Sequence, residues 1–199
     1  MRMHAPVASL QALLLGAFLL CAGNAHAAVV RECDGLSFPQ HIQARGQTLT
    51  LNGLGLRKAT FLGIKVYVGA LYVAHPTSDA QAILSSPDPV EMQLRFVFRV
   101  SAGELRDAWH DGFKKSAGAE LPRLQSRIAQ LDAWMRSVKS GQQMTFVRIP
   151  GVGIEYALDG TVEGTIPGED FARAFLAIWL GPSPPSRALR AGLLGGPCA

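Results

Sequence analysis

Reactive and metal-binding motifs are what this sequence has least of. Its three cysteines, Cys21, Cys33 and Cys198, stand far apart, and no Cys-x-x-Cys redox pair occurs. No Gly-x-Ser-x-Gly elbow is present, so nucleophilic catalysis has no anchor. His41, His75 and His110 fall in no ligand spacing, which leaves a metal site without donors. "GLGLRK" and "GVGIE" are rich in glycine but open no helix, so neither forms a phosphate cradle. Only 17% of residues are charged, the formal net charge is +4, and there is no basic run or aromatic-basic interleaving. That excludes the electrostatic footprint of a nucleic-acid partner. Repeats and low-complexity tracts are absent. No cofactor and no metal is expected.

One long apolar run is present, at the start. "MRMHAPVASLQALLLGAFLLCAGNAHA" places Arg2 before an apolar run from Leu10 to Cys21, then Ala25-His26-Ala27. This is the layout of a secretory signal, and the run is short of the ~20 residues a transmembrane helix needs. The expectation is cleavage after Ala27, with residues 28–199 forming a single domain that has no transmembrane segment and is periplasmic or secreted. Two cysteines then remain, Cys33 and Cys198, one near each end. In an oxidising compartment such a pair reads as a disulfide; the other reading is two unpaired thiols on loose termini.

Residues 36–74 are β-branched and aromatic with glycine punctuation, and predict two or three strands. Gly53 and Gly55 mark a bulge or a close backbone approach. Residues 78–86 predict a short helix capped by Ser78, and 90–100 a strand. That strand puts Val90, Met92, Leu94, Phe96 and Phe98 on one face. Glu91, Gln93 and Arg95 make the other face wet, which places it nearer a sheet edge. Ser101 and Glu104 form a capping box for a helix over 101–115. A second amphipathic helix follows over 120–138, with Pro122 in its first turn. Strands return over 143–168, turned at Asp159-Gly160, and helices over 169–181 and 186–195 close the chain. This order predicts an α+β fold, an antiparallel sheet with helices on one side.

"FLGIKVYVGALYV" (61–73) poses the one local puzzle. Read as a strand, it carries Ile64, Val66, Val68, Ala70 and Tyr72 on one face and Lys65, Tyr67, Gly69, Leu71 and Val73 on the other. Neither face is properly polar, so the strand is interior and something apolar covers both sides. Lys65, Tyr67 and the preceding Arg57 have two readings. In the first, Lys65 snorkels, Tyr67 packs and Arg57 is solvated. In the second, Arg57 and Tyr67 mark the polar end of an apolar pocket, where they would fork and donate to a carboxylate or phenolate. Trp109, Trp134 and Trp179 lie near the apolar stripes of helices, which fits core or rim packing. His110 lies on the polar side of its helix.

"LNGLGLRKATFLGIKVYVGALYV", "SAGELRDAWHDGF" and "GTIPGEDFARAFLAIWLG" resemble the chalcone isomerase-like family, and its bacterial secreted branch in particular. The likeness runs from about residue 45 to 195. It implies an open-faced β-sandwich: a large antiparallel sheet covered by a layer of helices, with a ligand cleft between them. Enzymes of the family close a chalcone to a flavanone, and plant members of the family bind fatty acids. By the resemblance, the enzymes' arginine falls on Arg57 and their strand threonine on Tyr67. Their tyrosine falls near Leu105, their asparagine near Gly112, and their late serine or threonine near Ile178. Most of the catalytic polar set is therefore missing.

The reading that follows is a non-catalytic binder of an apolar carboxylate such as a fatty acid. Arg57 and Tyr67 would grip the acid, and by position Trp109, Phe113, Phe175 and Trp179 would line the tail. The alternatives are an isomerase acting on a chalcone-like or conjugated phenolic substrate, and an accessory protein with a vestigial cleft and a protein partner.

Overall fold

A computed structural model describes Met1, residues 29–59 and residues 62–199. The expected signal segment and its cleavage site lie outside the described residues. Seven strands form one antiparallel meander: β3 (His41–Ala44), β4 (Gln47–Ala59), β5 (Ile64–Val73), β6 (Val90–Phe96), β7 (Gln143–Ile149), β8 (Gly153–Leu158) and β9 (Thr161–Pro167), neighbours in that order. A separate two-stranded ribbon, β1 (Val30–Cys33) and β2 (Leu36–Pro39), precedes them. The helices are α1 (Ala80–Leu84), α2 (Ala102–Ser116), α3 (Leu121–Trp134), α4 (Glu169–Leu180) and α5 (Arg187–Leu193). The sheet curls enough that Arg45, in the β3–β4 turn, pairs with Glu155 on β8. This is the expected α+β, open-faced arrangement.

Sheet order follows from local turn chemistry. Three hairpins turn on a residue and a glycine both at positive φ: Asp34-Gly35 (51° and 76°), Arg45-Gly46 (52° and 76°) and Asp159-Gly160 (48° and 79°). That geometry matches the right-handed twist of the flanking strands, so each hairpin closes in two residues. Ser101 and Glu104 cap α2 reciprocally, as the sequence predicts. Asp79, rather than Ser78, caps α1. Helix α3 ends at Trp134, four residues early, because Val138 leaves to bridge Val100.

The strand over 64–73 has two cores, one on each face. Tyr67, Leu71 and Val73 belong to the main core under the helices. Val68, Ala70 and Tyr72 belong to a second cluster with Phe38, Leu49, Leu51, Leu54 and Leu56. The β1–β2 ribbon covers that second face. Tyr72 donates to the Pro39 carbonyl (3.1 Å), and the Arg95 guanidinium lies 4.6 Å over the Phe38 ring. A disulfide joins Cys33 of the ribbon to Cys198 of the C-terminal tail.

Two expectations need correcting. Lys65 and Tyr67 do not share a face. The β4–β5 register runs from Arg57↔Tyr67 to Lys58↔Lys65, so Val66 is an extra residue in a bulge. Beyond it the alternation is inverted: Val66 turns to the helix side with Tyr67, and Lys65 turns to the ribbon side, where it pairs with Asp34. The strand carrying Glu91, Gln93 and Arg95 is not near an edge; it is fourth of seven. Glu91 and Gln93 are 7% and 8% exposed, and Gln93 donates to Glu91 (2.7 Å). Burial pushes the Glu91 carboxyl above its ordinary range, against the opposing effect of that bond.

Helix α4 begins on a glycine, without a side-chain cap, and is fixed by two arginines instead. Buried Arg148 on β7 donates to Glu169 (2.9 Å), which also accepts from the Gly151 amide (2.6 Å). Arg127 on α3 forks onto both oxygens of Asp170 (2.7 and 2.6 Å) and holds its carboxyl down at about 2. Because this pKa is depressed, the pair's contribution is complete above the ordinary carboxylate range and fades as pH falls toward 2. Asp170 is nearly half exposed, so Asp170→Asn is expected to cost under about 1 kcal/mol at neutral pH. Urea midpoints of the variant and wild type should converge near pH 2. A gap that stays constant with pH would show that the contribution is not ionic.

Candidate functional site

A cavity of about 370 Å³ lies where one end of the sheet meets α2 and α4. The bulge at Val66 sends both Val66 and Tyr67 into it, and Arg57 enters from the facing position on β4. Leu94 and Phe96 of β6 form its floor. Leu105, Ala108, Trp109 and Gly112 come from α2, and Ile178 and Trp179 from α4. Its mouth is bounded by Ile64, Phe98 and Arg99, with Glu104, Asp111 and Lys115 along the helix side.

The polar end is organised by one buried bond. Trp179 donates its indole N–H to the Tyr67 hydroxyl oxygen (3.0 Å). Tyr67 therefore accepts there and keeps its own proton to give to another acceptor. Burial holds the Tyr67 phenol above its ordinary value, outweighing the Trp179 bond and the nearby Arg57 charge, which both act in the other direction. Tyr67 is thus a neutral donor at physiological pH. Arg57 is half-buried, donates to the Lys58 carbonyl and has no carboxylate within ion-pair distance among the described residues. A permanent cation and a phenol donor at the end of an apolar cavity can receive an anionic oxygen.

Of the six residues proposed from sequence, Arg57, Tyr67, Trp109 and Trp179 lie on the cavity wall. Phe113 and Phe175 are a layer deeper. Both are fully buried and pack against the Phe171 ring, Phe113 tilted and Phe175 stacked, with ring centroids 5.1 and 6.2 Å away. Trp109 spends its indole N–H on Met135 sulfur (3.0 Å) and crosses Trp179 edge to face at 5.7 Å, so it offers the cavity a ring surface. His110 is on the surface, bonded to Asp132 at 2.6 Å.

Several wall residues were not singled out from sequence. Val66 needs the bulge, which alternation does not reveal. Phe98 was placed inward on its strand, but β6 stops at Phe96 and Phe98 is 51% exposed at the mouth. Leu105, Gly112 and Ile178, the positions where the family resemblance places catalytic polar groups, all face the cavity. Gly112 is there for a packing reason. A Cβ on it would lie 2.9 Å from Ile178 Cγ2, so the glycine makes room for the isoleucine. Among the described residues no group of three or more His, Cys, Asp or Glu could hold a metal ion, and no helix is long and apolar enough to cross a membrane.

Fold and cavity together define an α+β domain with an internal cleft between a curled antiparallel sheet and its helix layer. The family model described as chalcone isomerase-like matches residues 30–195, and the chain belongs to that family. Among solved structures the chain is similar to the fatty-acid binding protein AtFAP1 of Arabidopsis thaliana. The TM-score is 0.65 and the identity 21%, over 85% of this chain and 96% of that one. No curated protein sequence matches this chain.

Proposed function

We propose that this protein is a non-catalytic carrier that holds an apolar carboxylate, of the fatty-acid class, in the cavity between sheet and helices. Arg57 and the free proton of Tyr67 would bind the carboxylate, and Trp109, Trp179, Leu105 and Ile178 would enclose the tail. The observation that carries this reading is the pairing of an uncompensated arginine and a phenol donor at the end of an otherwise apolar cavity. Its volume, about 370 Å³, lies within the ~300–1,000 Å³ of small-molecule sites. The fatty-acid binding of AtFAP1, a protein of similar fold, agrees with it.

The substitutions on the wall argue against ring closure. An asparagine at 112 would collide with Ile178, and a hydroxyl at 178 would leave Gly112 facing a gap. The two positions form a matched apolar pair, and neither can regain a polar group alone without overpacking or a void. Without those donors a developing phenolate would find only Arg57 and Tyr67. The leader-like N-terminus and the disulfide further support a secreted or periplasmic site of action, and the sequence motifs a bacterial secreted member.

Binding of a homologous series of saturated fatty acids tests the reading by calorimetry or native mass spectrometry. Each added methylene is expected to contribute ~0.8 kcal/mol, about fourfold in affinity, until the cavity is filled, after which the gain should stop. Arg57→Ala is expected to weaken binding about 10–100-fold, the worth of a charged hydrogen bond, with an unchanged unfolding midpoint. Tyr67→Phe should weaken binding less and also lower stability by about 1–3 kcal/mol, because it strands the buried Trp179 N–H. If wild type binds none of the series, or Arg57→Ala binds as tightly, the proposed grip is wrong.

A further inference from the structure

The end of the molecule where the cavity opens has an unusual surface. Leu62 is 71% exposed, Phe98 51% and Ile64 37%. Ile64 and Phe98 both border the cavity, and Leu62 is two residues before Ile64 in the β4–β5 turn. The amides of Val97 and Phe98 both donate to the Val66 carbonyl (2.9 and 3.3 Å), which locks the β6–α2 segment beside that turn. Large apolar side chains grouped at one tip are a contact surface rather than scattered exposure.

Charge around this tip is net positive. Arg57, Lys58 and Arg99 flank it, and none has a carboxylate within ion-pair distance among the described residues. Two acids at the mouth, Glu104 near Arg99 and Asp111, offset part of it. Asp111 is paired with Lys115 (2.5 Å), and Glu104 accepts from the Ser101 amide and hydroxyl (2.8 and 2.7 Å). An apolar tip flanked by an excess of cations matches the interface of an anionic bilayer, where the side chains reach the acyl boundary and the cations meet phosphates.

We propose that this end of the protein is a docking surface for an anionic lipid bilayer, which sets the cavity mouth against the membrane's acyl chains. The docking goes beyond the carrier reading and rests on it only for the cargo. Ligand exchange would then take place at the membrane, and the acyl tail would not have to cross water.

The test is hydrogen exchange on the full chain, alone, with vesicles of phosphatidylglycerol and phosphatidylethanolamine, and with vesicles of phosphatidylcholine. Amides over 62–67 and 96–100 are expected to slow with the anionic vesicles only. Leu62→Ser combined with Lys58→Gln should reduce partition to those vesicles roughly tenfold. Neither residue lines the cavity, so the double variant should bind dissolved fatty acid as wild type does. Equal partition of variant and wild type, protection at another face, equal protection by phosphatidylcholine, or protection that tracks protein concentration without vesicles would each overturn the proposal. Docking as described by a protein that binds no fatty acid would leave this surface standing and remove the carrier reading.

Discussion

Gly55→Ala is expected to destabilise the protein by about 3 kcal/mol, while Gly69→Ala, its partner directly across the β4–β5 ladder, stays within about 1 kcal/mol of wild type. The two glycines lie side by side under α5 but meet different atoms. A Cβ on Gly55 would lie 2.4 Å from the Leu189 carbonyl oxygen, a backbone atom that cannot rotate aside. A Cβ on Gly69 would meet the Leu193 and Leu189 methyl groups at 3.4 and 3.5 Å and the Gly55 carbonyl oxygen at 3.7 Å, all ordinary contacts or close to them. Gly53 and Gly192 repeat the Gly55 situation: a Cβ added to either would lie 2.1 or 2.2 Å from a backbone oxygen of the other element. Asn52 adds a bond to the Leu193 carbonyl (2.8 Å). Helix α5 thus rests its backbone on the backbone of β4 and drives Leu189 and Leu193, both fully buried, into the core. Adding one methyl at Gly55 must lift the helix and partly expose those leucines, each worth about 1.5–3 kcal/mol when fully buried. Urea unfolding of the two variants measures the contrast. If Gly55→Ala is as mild as Gly69→Ala, α5 does not pack on β4 in this way.

That close approach was visible in the sequence as a Gly-x-Gly inside a strand, although its partner was not. The same division holds through the fold. Local signals with their own chemistry were legible: the Ser101–Glu104 box, the Asp159-Gly160 turn, Gly181 closing α4, and the alternation of strand and helix periods that fixes an antiparallel α+β order. What stayed hidden depends on a neighbour. The Val66 bulge arises from the pairing of two strands, and without it Lys65 and Tyr67 seem to share a face. Glu91 and Gln93 look solvated in sequence because their surroundings are not local: they pair with Tyr72 and Ala70 of the second cluster, which also holds Phe38, more than fifty residues earlier in the chain. The site divides in the same way. Arg57 and Tyr67 stood out because a cation and a phenol are costly on an apolar strand unless something uses them. Phe113 and Phe175 could not be told from wall residues, since helical periodicity gives the inward face and not how far the cavity runs along it. Leu105, Gly112 and Ile178 came from the resemblance alone, and the Gly112–Ile178 contact that explains two of them needed coordinates.

Replacing both Cys33 and Cys198 by serine is expected to cost about 2–5 kcal/mol, equivalent to a fall of about 5–20 °C in the unfolding midpoint. The bridge joins residues 165 positions apart, with Cα atoms 5.8 Å apart, and so closes nearly the whole folded chain into one loop. Loop-closure entropy for such a span approaches 5 kcal/mol, the upper end of the range. The loss should be uneven. Cys33 and Cys198 both belong to the cluster on the ribbon face, so the β1–β2 ribbon and the C-terminal tail lose their tie first. The cavity lies on the opposite face, against α2 and α4. At temperatures where the reduced or serine-substituted protein stays folded, fatty-acid affinity should therefore equal that of wild type, while amide exchange over 30–39 accelerates. Calorimetric unfolding with and without reductant, beside the double variant, reads the first effect, and titration with one fatty acid reads the second. A midpoint unmoved by reduction would mean that the ribbon is held by its packing on Phe38 and Tyr72 alone. A large fall with affinity intact would separate the two faces of the sheet into a stapled structural side and an open binding side.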